Sequence, residues 1–203
     1  MADTDLISTL RRLMSPVEFR YATPDDAGVI TDLIERAYRG PATAGQWDSE
    51  SHLLTGPRTS TSEIRGLLLR DDSRFVLAEQ DGRIAGCALI QANGAAPQAK
   101  NPCSPPMAAN SAYFGMFAID PGIRSAGLGK LVLAAAEARA RELWSVRSMV
   151  MTVINVREQL IGWYQRRGYQ LTGARLPFPF TETSGETTRD FDLVEMRKDL
   201  PEE

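Results

Sequence analysis

The run Arg124-Ser125-Ala126-Gly127-Leu128-Gly129 sets a cation, small residues and two glycines directly ahead of a long alanine-rich stretch. Residues of these types at the start of a helix bind phosphate. Glycine at 127 and 129 leaves no Cβ between backbone and ligand, and the first N–H groups of a helix have no intrahelical acceptors. Those donors, together with the positive end of the helix dipole, suit an anion. The bland alternative is a tight strand-to-helix turn and nothing more. A nucleoside triphosphatase is disfavoured because no G-x-x-x-x-G-K-[ST] pattern is present. A dinucleotide fold is disfavoured because no second βαβ unit carries the ribose acid.

The elements that must position this turn follow from local patterning. Val17 to Tyr21 alternates as a strand does, and Thr23-Pro24-Asp25-Asp26 supplies a cap, an N1 proline and first-turn acids for a helix bearing Val29, Ile30, Leu33, Ile34 and Ala37. Gly40 to Thr61 reads as loop with Trp47, His52, Leu53 and Leu54 as its bulky residues, and a helix is predicted over Ser62 to Leu69. Phe75–Ala78 and Arg83–Ile90 flank Gln80-Asp81-Gly82, where Asp-Gly marks a hairpin. Asn93 to Asn110, with four prolines, reads as an irregular loop. Tyr113 to Ile119 is the next strand, Ala126 to Leu143 a helix, Val146 to Ile154 a strand and Glu158 to Arg167 a helix stopped by Gly168. Tyr169 to Leu171 and Arg189 to Met196 complete the extended segments. The first fifteen residues, with Leu6, Leu10 and Leu13 before Pro16, read either as a short packed helix or as a loose extension.

At 203 residues the chain suits one domain, expected over residues 16–203 with residues 1–15 as an extension. No stretch approaches the roughly 18 apolar residues of a membrane span, and Asp3 and Asp5 are unlike a basic signal-peptide start, so a cytoplasmic location is expected. Cys87 and Cys103 are too few and too differently placed for a disulfide scaffold or metal knuckle. A net charge of −3 argues against nucleic acid as a partner and favours a cationic small-molecule substrate.

The glycine turn, with Ala118-Ile119-Asp120-Pro121 before it and Lys130-Leu131 after it, resembles the pyrophosphate signature Gln/Arg-x-x-Gly-x-Gly/Ala of the GNAT N-acetyltransferase superfamily. Trp163-Tyr164-Gln165-Arg166-Arg167-Gly168-Tyr169 resembles that superfamily's Tyr-x-x-x-Gly-Phe/Tyr block, in the right order and at a fitting separation. Arg157-Glu158-Gln159-Leu160-Ile161-Gly162-Trp163-Tyr164, with Thr172-Gly173 and Pro177-Phe178-Pro179, is similar to a bacterial and fungal subgroup of unassigned acceptor.

The resemblance implies a mixed α/β fold. Its twisted, mostly antiparallel sheet would have six to seven strands with one splayed pair, flanked by about four helices. It implies acetyl-CoA as cofactor, with Arg124, Ser125, Ala126, Gly127, Leu128, Gly129 and Lys130 around the pyrophosphate. The backbone of Phe117, Ala118 and Ile119 would lie along the pantetheine arm. It implies Tyr164 as the acid that protonates the departing thiolate, a positioned transfer worth about 10² to 10⁴ in rate. Relatives often carry an asparagine seven residues before this tyrosine; here that position is Arg157, and Asn155 is the alternative contact.

For the general base, Glu79, Glu158, Glu50, His52 and water all remain open. Arg166 and Arg167 are placed at a helix C-terminus, where cations are favoured in any case. Phe178 and Phe180 either line an acceptor pocket or pin a loop. The activity implied is acetyl transfer from acetyl-CoA to a primary amine, with a homodimer formed at a sheet edge near Arg189 to Met196. The competing reading is a non-catalytic CoA-binding module.

Overall fold

The computed structural model describes residues 16–40, 50–92, 110–123, 127–179 and 191–201. Arg124, Ser125, Ala126, Trp47, Cys103, Phe180, residues 1–15 and most of the proline-rich loop therefore lie outside the described residues. Within them, seven strands form one sheet in the order β1-β2-β3-β4-β5-β7-β6. They are β1 (Glu18–Tyr21), β2 (Ser73–Gln80), β3 (Arg83–Ala92), β4 (Ser111–Ile119), β5 (Ser148–Ile154), β6 (Gln170–Pro177) and β7 (Asp192–Asp199). Every pairing is antiparallel except β4 with β5. Four described helices cover the sheet: α1 (Ala27–Arg39), α2 (Thr61–Leu68), α3 (Leu128–Trp144) and α4 (Glu158–Gln165).

The two faces are buried by different helices. Ile30, Leu33 and Ile34 of α1 and Ile64 of α2, spaced for one helical stripe, pack on Phe75, Leu77, Cys87, Leu89, Met116 and Ala118. Val132, Leu133, Ala136 and Ala140 of α3, with Tyr164 and Tyr169, cover Val76, Ala88, Phe114, Met149 and Met151 on the other face. Each fully buried aliphatic side chain contributes about 1.5–3 kcal/mol, which makes these two stripes the main source of cohesion.

The start of α1 follows from its sequence. Asp26 accepts from the Thr23 N–H at 2.7 Å and hydroxyl at 3.0 Å, and from both terminal nitrogens of Arg20 at 2.8 Å. Arg20 holds the Asp26 carboxyl down at about 2. Asp81 and Gly82 both take positive φ, 53° and 69°, which the tight hairpin between β2 and β3 requires.

Two expectations change. The sheet edge placed near Arg189 to Met196 is not an edge: β7 lies between β5 and β6, and β6 is the outer strand. The extended segment predicted over Tyr169 to Leu171 runs on to Pro177. Gly173, at φ 89°, absorbs the irregularity between Leu171 and Arg175 that periodicity alone reads as a strand end.

Candidate active site

A fork in the sheet defines the site. β4 and β5 pair only at Ser111↔Ser148, Ala112↔Met149 and Tyr113↔Val150, while β4 continues to Ile119 and β5 stays paired with β7 to Ile154. The backbone of β4 beyond Tyr113 therefore faces the fork without a strand partner on that side. A bulge accompanies the departure. Opposite β3, the register shifts between Cys87 and Leu89, and Met116 takes φ 44°. A bulge bends and over-twists its strand. The left-handed residue costs about 1–2 kcal/mol. Cys87 Sγ donates to the Met116 carbonyl at 3.6 Å, and burial pushes that thiol up to about 12, so it stays a protonated donor.

The bulge also breaks strict alternation along β4. Phe114 and Phe117, three apart, both turn to the α3–α4 face, with ring centroids 5.5 Å apart. Trp163 of α4 lies 5.9 Å from Phe117. A Cβ on Gly129 would lie 3.3 Å from Phe117 Cζ and 3.5 Å from Trp163 Cζ2, so glycine lets the first turn of α3 approach the fork wall. Gly127, at φ 105° and ψ −9°, turns the chain into α3, and no side chain among the described residues caps that N-terminus. Lys130 projects from the same turn, exposed.

Tyr164 is 5% exposed and sits edge-on to Trp163, Tyr169 and Phe114 at centroid distances of 5.0, 5.7 and 6.4 Å. Its hydroxyl makes no hydrogen bond to a described residue. Burial drives its pKa far above the ordinary phenol value, Tyr38 and Tyr113 adding to this and Arg157 and Arg167 opposing it, so the phenol is a proton donor at every working pH. Tyr169 is pinned elsewhere, its hydroxyl donating to Glu137 of α3 at 3.0 Å.

The helix carrying Tyr164 is anchored by a buried charge cluster. Arg157, at the N-cap of α4, donates to Glu50 Oε1 at 2.6 Å, and Arg39 at the end of α1 donates to Glu50 Oε2 at 3.0 Å. Burial works against the Glu50 charge, but Arg157, Arg58 and Arg39 outweigh it and hold the pKa below the ordinary carboxylate value. Asn155, beside it, accepts from the Asp192 N–H through Oδ1 at 3.1 Å and donates its own N–H to the Asp192 carbonyl at 2.9 Å. It ties the end of β5 to β7.

On the opposite side of the fork stand three residues that sequence reasoning did not single out. Tyr38 donates its hydroxyl to the Phe117 carbonyl at 2.9 Å, and burial pushes its pKa up to about 12. The Arg58 guanidinium carbon lies 5.3 Å from the Tyr38 ring centroid. Tyr113, at the last β4–β5 pair, reaches Thr152 Oγ1 at 3.2 Å, and its ring folds over Gly115, where a Cβ would come within 2.7 Å of Tyr113 Cε1. The one available signal was Gly115 inside a strand pattern, which marks a bulge or a close approach. Arg58, in a Gly-Pro-rich loop, had none.

The candidate bases separate. Glu79 accepts from Arg20 at 2.8 Å beside β1, remote from the fork. Glu158 is exposed and lines a shallow groove on α4 with Gln159, Gly162 and Arg166. His52 is exposed, and Glu50 is the ion-paired carboxylate just described. Arg167 stacks on Trp163 with its guanidinium 3.5 Å from the ring centroid and donates to the Trp163 carbonyl at 2.7 Å. Phe178 packs edge-on to Phe191 at 4.9 Å, closing a small cluster with Leu53, Leu54 and Ile154.

Comparison with known proteins agrees with this geometry. The acetyltransferase (GNAT) family model matches residues 41–169. No curated protein is matched by sequence. Among solved structures, the yncA protein of Salmonella typhimurium, determined with its cofactor acetyl-CoA, superposes with a TM-score of 0.63 at 17% identity, over 93% of this chain and 96% of that one. A ribosomal-protein-alanine N-acetyltransferase from Brucella melitensis gives 0.62 at 19% identity, over 90% and 99%. A spermidine N-acetyltransferase chimera of Vibrio cholerae SpeG and hSSAT gives 0.62 at 15%, over 91% and 96%. With a splayed mixed sheet, a glycine-led helix at its fork and a family match over most of its length, the chain belongs to the acetyltransferase (GNAT) family and is an acetyl-CoA-dependent acetyltransferase.

Proposed function

We propose that the protein acetylates a primary amine on a small molecule by direct transfer, with both substrates bound together and no covalent enzyme intermediate. The observation that carries this is Tyr164, a buried side chain packed beside the fork against Trp163, Tyr169 and Phe114, whose hydroxyl makes no hydrogen bond to a described residue. The chain's residues fit the cofactor. A helix N-terminus without a side-chain cap from the described residues, entered through a glycine at φ 105° with open space around its absent Cβ, suits a pyrophosphate. An unpaired length of β4 suits an extended amide-bearing arm.

In this reading the N–H groups from Gly127 to Lys130, with Arg124, Ser125 and Ala126 ahead of them, hold the pyrophosphate, and Phe117 to Ile119 hold the pantetheine. Asn155 and Arg157 act instead as positioning residues for α4, since their side chains engage Asp192 and Glu50. Acetyl-CoA when bound supplies a thioester whose carbonyl an amine attacks as thiolate departs. Tyr164 donates its phenolic hydrogen toward that sulfur. The same burial that keeps it protonated makes a free phenolate expensive, so its contribution combines a hydrogen bond to the developing charge with proton delivery. Glu50 is a poor acceptor while two guanidiniums hold it, so the ammonium proton of the acceptor leaves to water before attack, and the proton the attacking nitrogen then sheds also passes to water, from which Tyr164 regains its hydrogen. A cytoplasmic location and a homodimer belong to the same proposal.

Turnover of acetyl-CoA across a panel of amines tests it. Tyr164→Phe keeps the ring packing and should keep cofactor affinity while slowing CoA release by about 10² to 10⁴. An unchanged rate removes Tyr164 from the mechanism, and tight CoA binding without transfer to any amine returns the protein to a binding role.

A further inference from the structure

On the α1–α2 side of the fork one arginine side chain, Arg58, forms no ion pair among the described residues. Arg39, Arg58 and Arg157 converge there around a single buried carboxylate, Glu50, whose two oxygens are already taken by Arg39 and Arg157. The nearby acids are turned to other partners: Glu35 Oε1 accepts the N–H groups of Arg58 and Thr59 at 2.6 and 2.8 Å, and Glu63 Oε2 accepts the Thr59 hydroxyl at 2.9 Å. The Arg58 guanidinium itself makes no hydrogen bond or ion pair with a described residue and rests over the Tyr38 ring. Tyr38 in turn holds the Phe117 carbonyl at the fork, and Tyr113 stands on the same face where β4 leaves β5.

Resting on the transfer reading above, we propose that the acceptor amine also bears a carboxylate, which the Arg58 guanidinium receives while the amine lies in the fork beside Tyr164. The acceptor class is then amino acids and related amino carboxylates, not polyamines. A polycation needs a cleft rich in unpaired carboxylates; here Glu35, Glu50 and Glu63 are engaged by other groups, while the Arg58 guanidinium is not. A half-buried guanidinium backed by an aromatic face presents a planar fork of donors that matches a carboxylate in a bidentate manner.

Calorimetric titration of the CoA complex tests this without requiring catalysis. The ligands are N-acetyl derivatives of a set of amino acids, each matched with the N-acetyl derivative of its decarboxylated amine. At least one carboxylate-bearing ligand should bind tenfold or more tightly than its match. Arg58→Gln should erase that preference and Arg58→Lys restore part of it, while CoA affinity, which reports an intact fold, stays unchanged in both. A hydrogen bond to a charged group corresponds to about ten- to a hundredfold in affinity. The proposal is overturned if no carboxylate-bearing ligand is preferred across the set, or if the preference survives in Arg58→Gln. A ligand that shows the Arg58-dependent preference but whose parent amino acid is never acetylated would support the carboxylate site and sink the transfer reading.

Discussion

Glu50→Ala is the sharpest test of how the site is held in place. The side chains of Arg39, Glu50 and Arg157 are 13%, 9% and 7% exposed, so water screens their interactions little. Removing the carboxylate strands two guanidiniums inside the protein, a change that costs about 3–5 kcal/mol when a buried partner is lost. For a domain of this size that corresponds to a fall in Tm of about 6–20 °C. Urea titration of Glu50→Met, Arg157→Met and the double variant Glu50→Met/Arg157→Met, beside Glu50→Ala, separates the terms. The double variant should recover part of the loss, because replacing Glu50 and Arg157 together leaves one stranded guanidinium, Arg39, instead of two.

The pH dependence carries a defined sign. The folded pKa of Glu50 lies below its ordinary value of 4.5, so its contribution is complete above that pH and is lost as pH falls through the folded value. That acid limb should flatten in Glu50→Ala. A loss below about 1 kcal/mol, or strict additivity in the cycle, would refute the reasoning, because exposed ion pairs behave in that way.

Two further perturbations address the fork and the helix start. Gly127→Ala forces an L residue to φ 105°, a strain of about 1–3 kcal/mol, and calorimetry should find CoA affinity reduced at least tenfold; undiminished affinity would remove the α3 N-terminus from the binding site. Gly115→Ala places a Cβ 2.7 Å from Tyr113 Cε1, so the ring must swing away and the Tyr113–Thr152 contact must break. The expected result is a raised KM for the acceptor with cofactor affinity retained, and an unaltered KM would show that Tyr113 does not shape the acceptor side.

Much of this architecture was legible in residue patterning. The strands and helices follow from alternation, from the Thr23–Asp26 cap and from the Asp81-Gly82 turn, because each is decided by neighbours within a few residues. The glycines at 127 and 129 were legible for the same reason. What escaped depends on distant contacts. Asn155 and Arg157 have side chains suited to a ligand, yet Asp192 and Glu50, 37 and 107 residues away, engage them. Tyr38 and Arg58 meet the fork only after α1 and its following loop fold over β4, and nothing local distinguishes them from surface residues. The position of β7 was misread because strand order is set by the whole sheet, not by any one strand.

The bulge at Met116 separates what stabilises this sheet from what makes it useful. β4 places two residues where β3 places one, within the length of β4 that has already left β5 after Tyr113. Removing Gly115 would leave Ala112, Phe114, Phe117 and Ile119 on one face and Met116 and Ala118 on the other, with ordinary alternation and no left-handed residue. The surplus residue is thus carried at a cost in backbone strain, on the length of strand whose edge the fork leaves open.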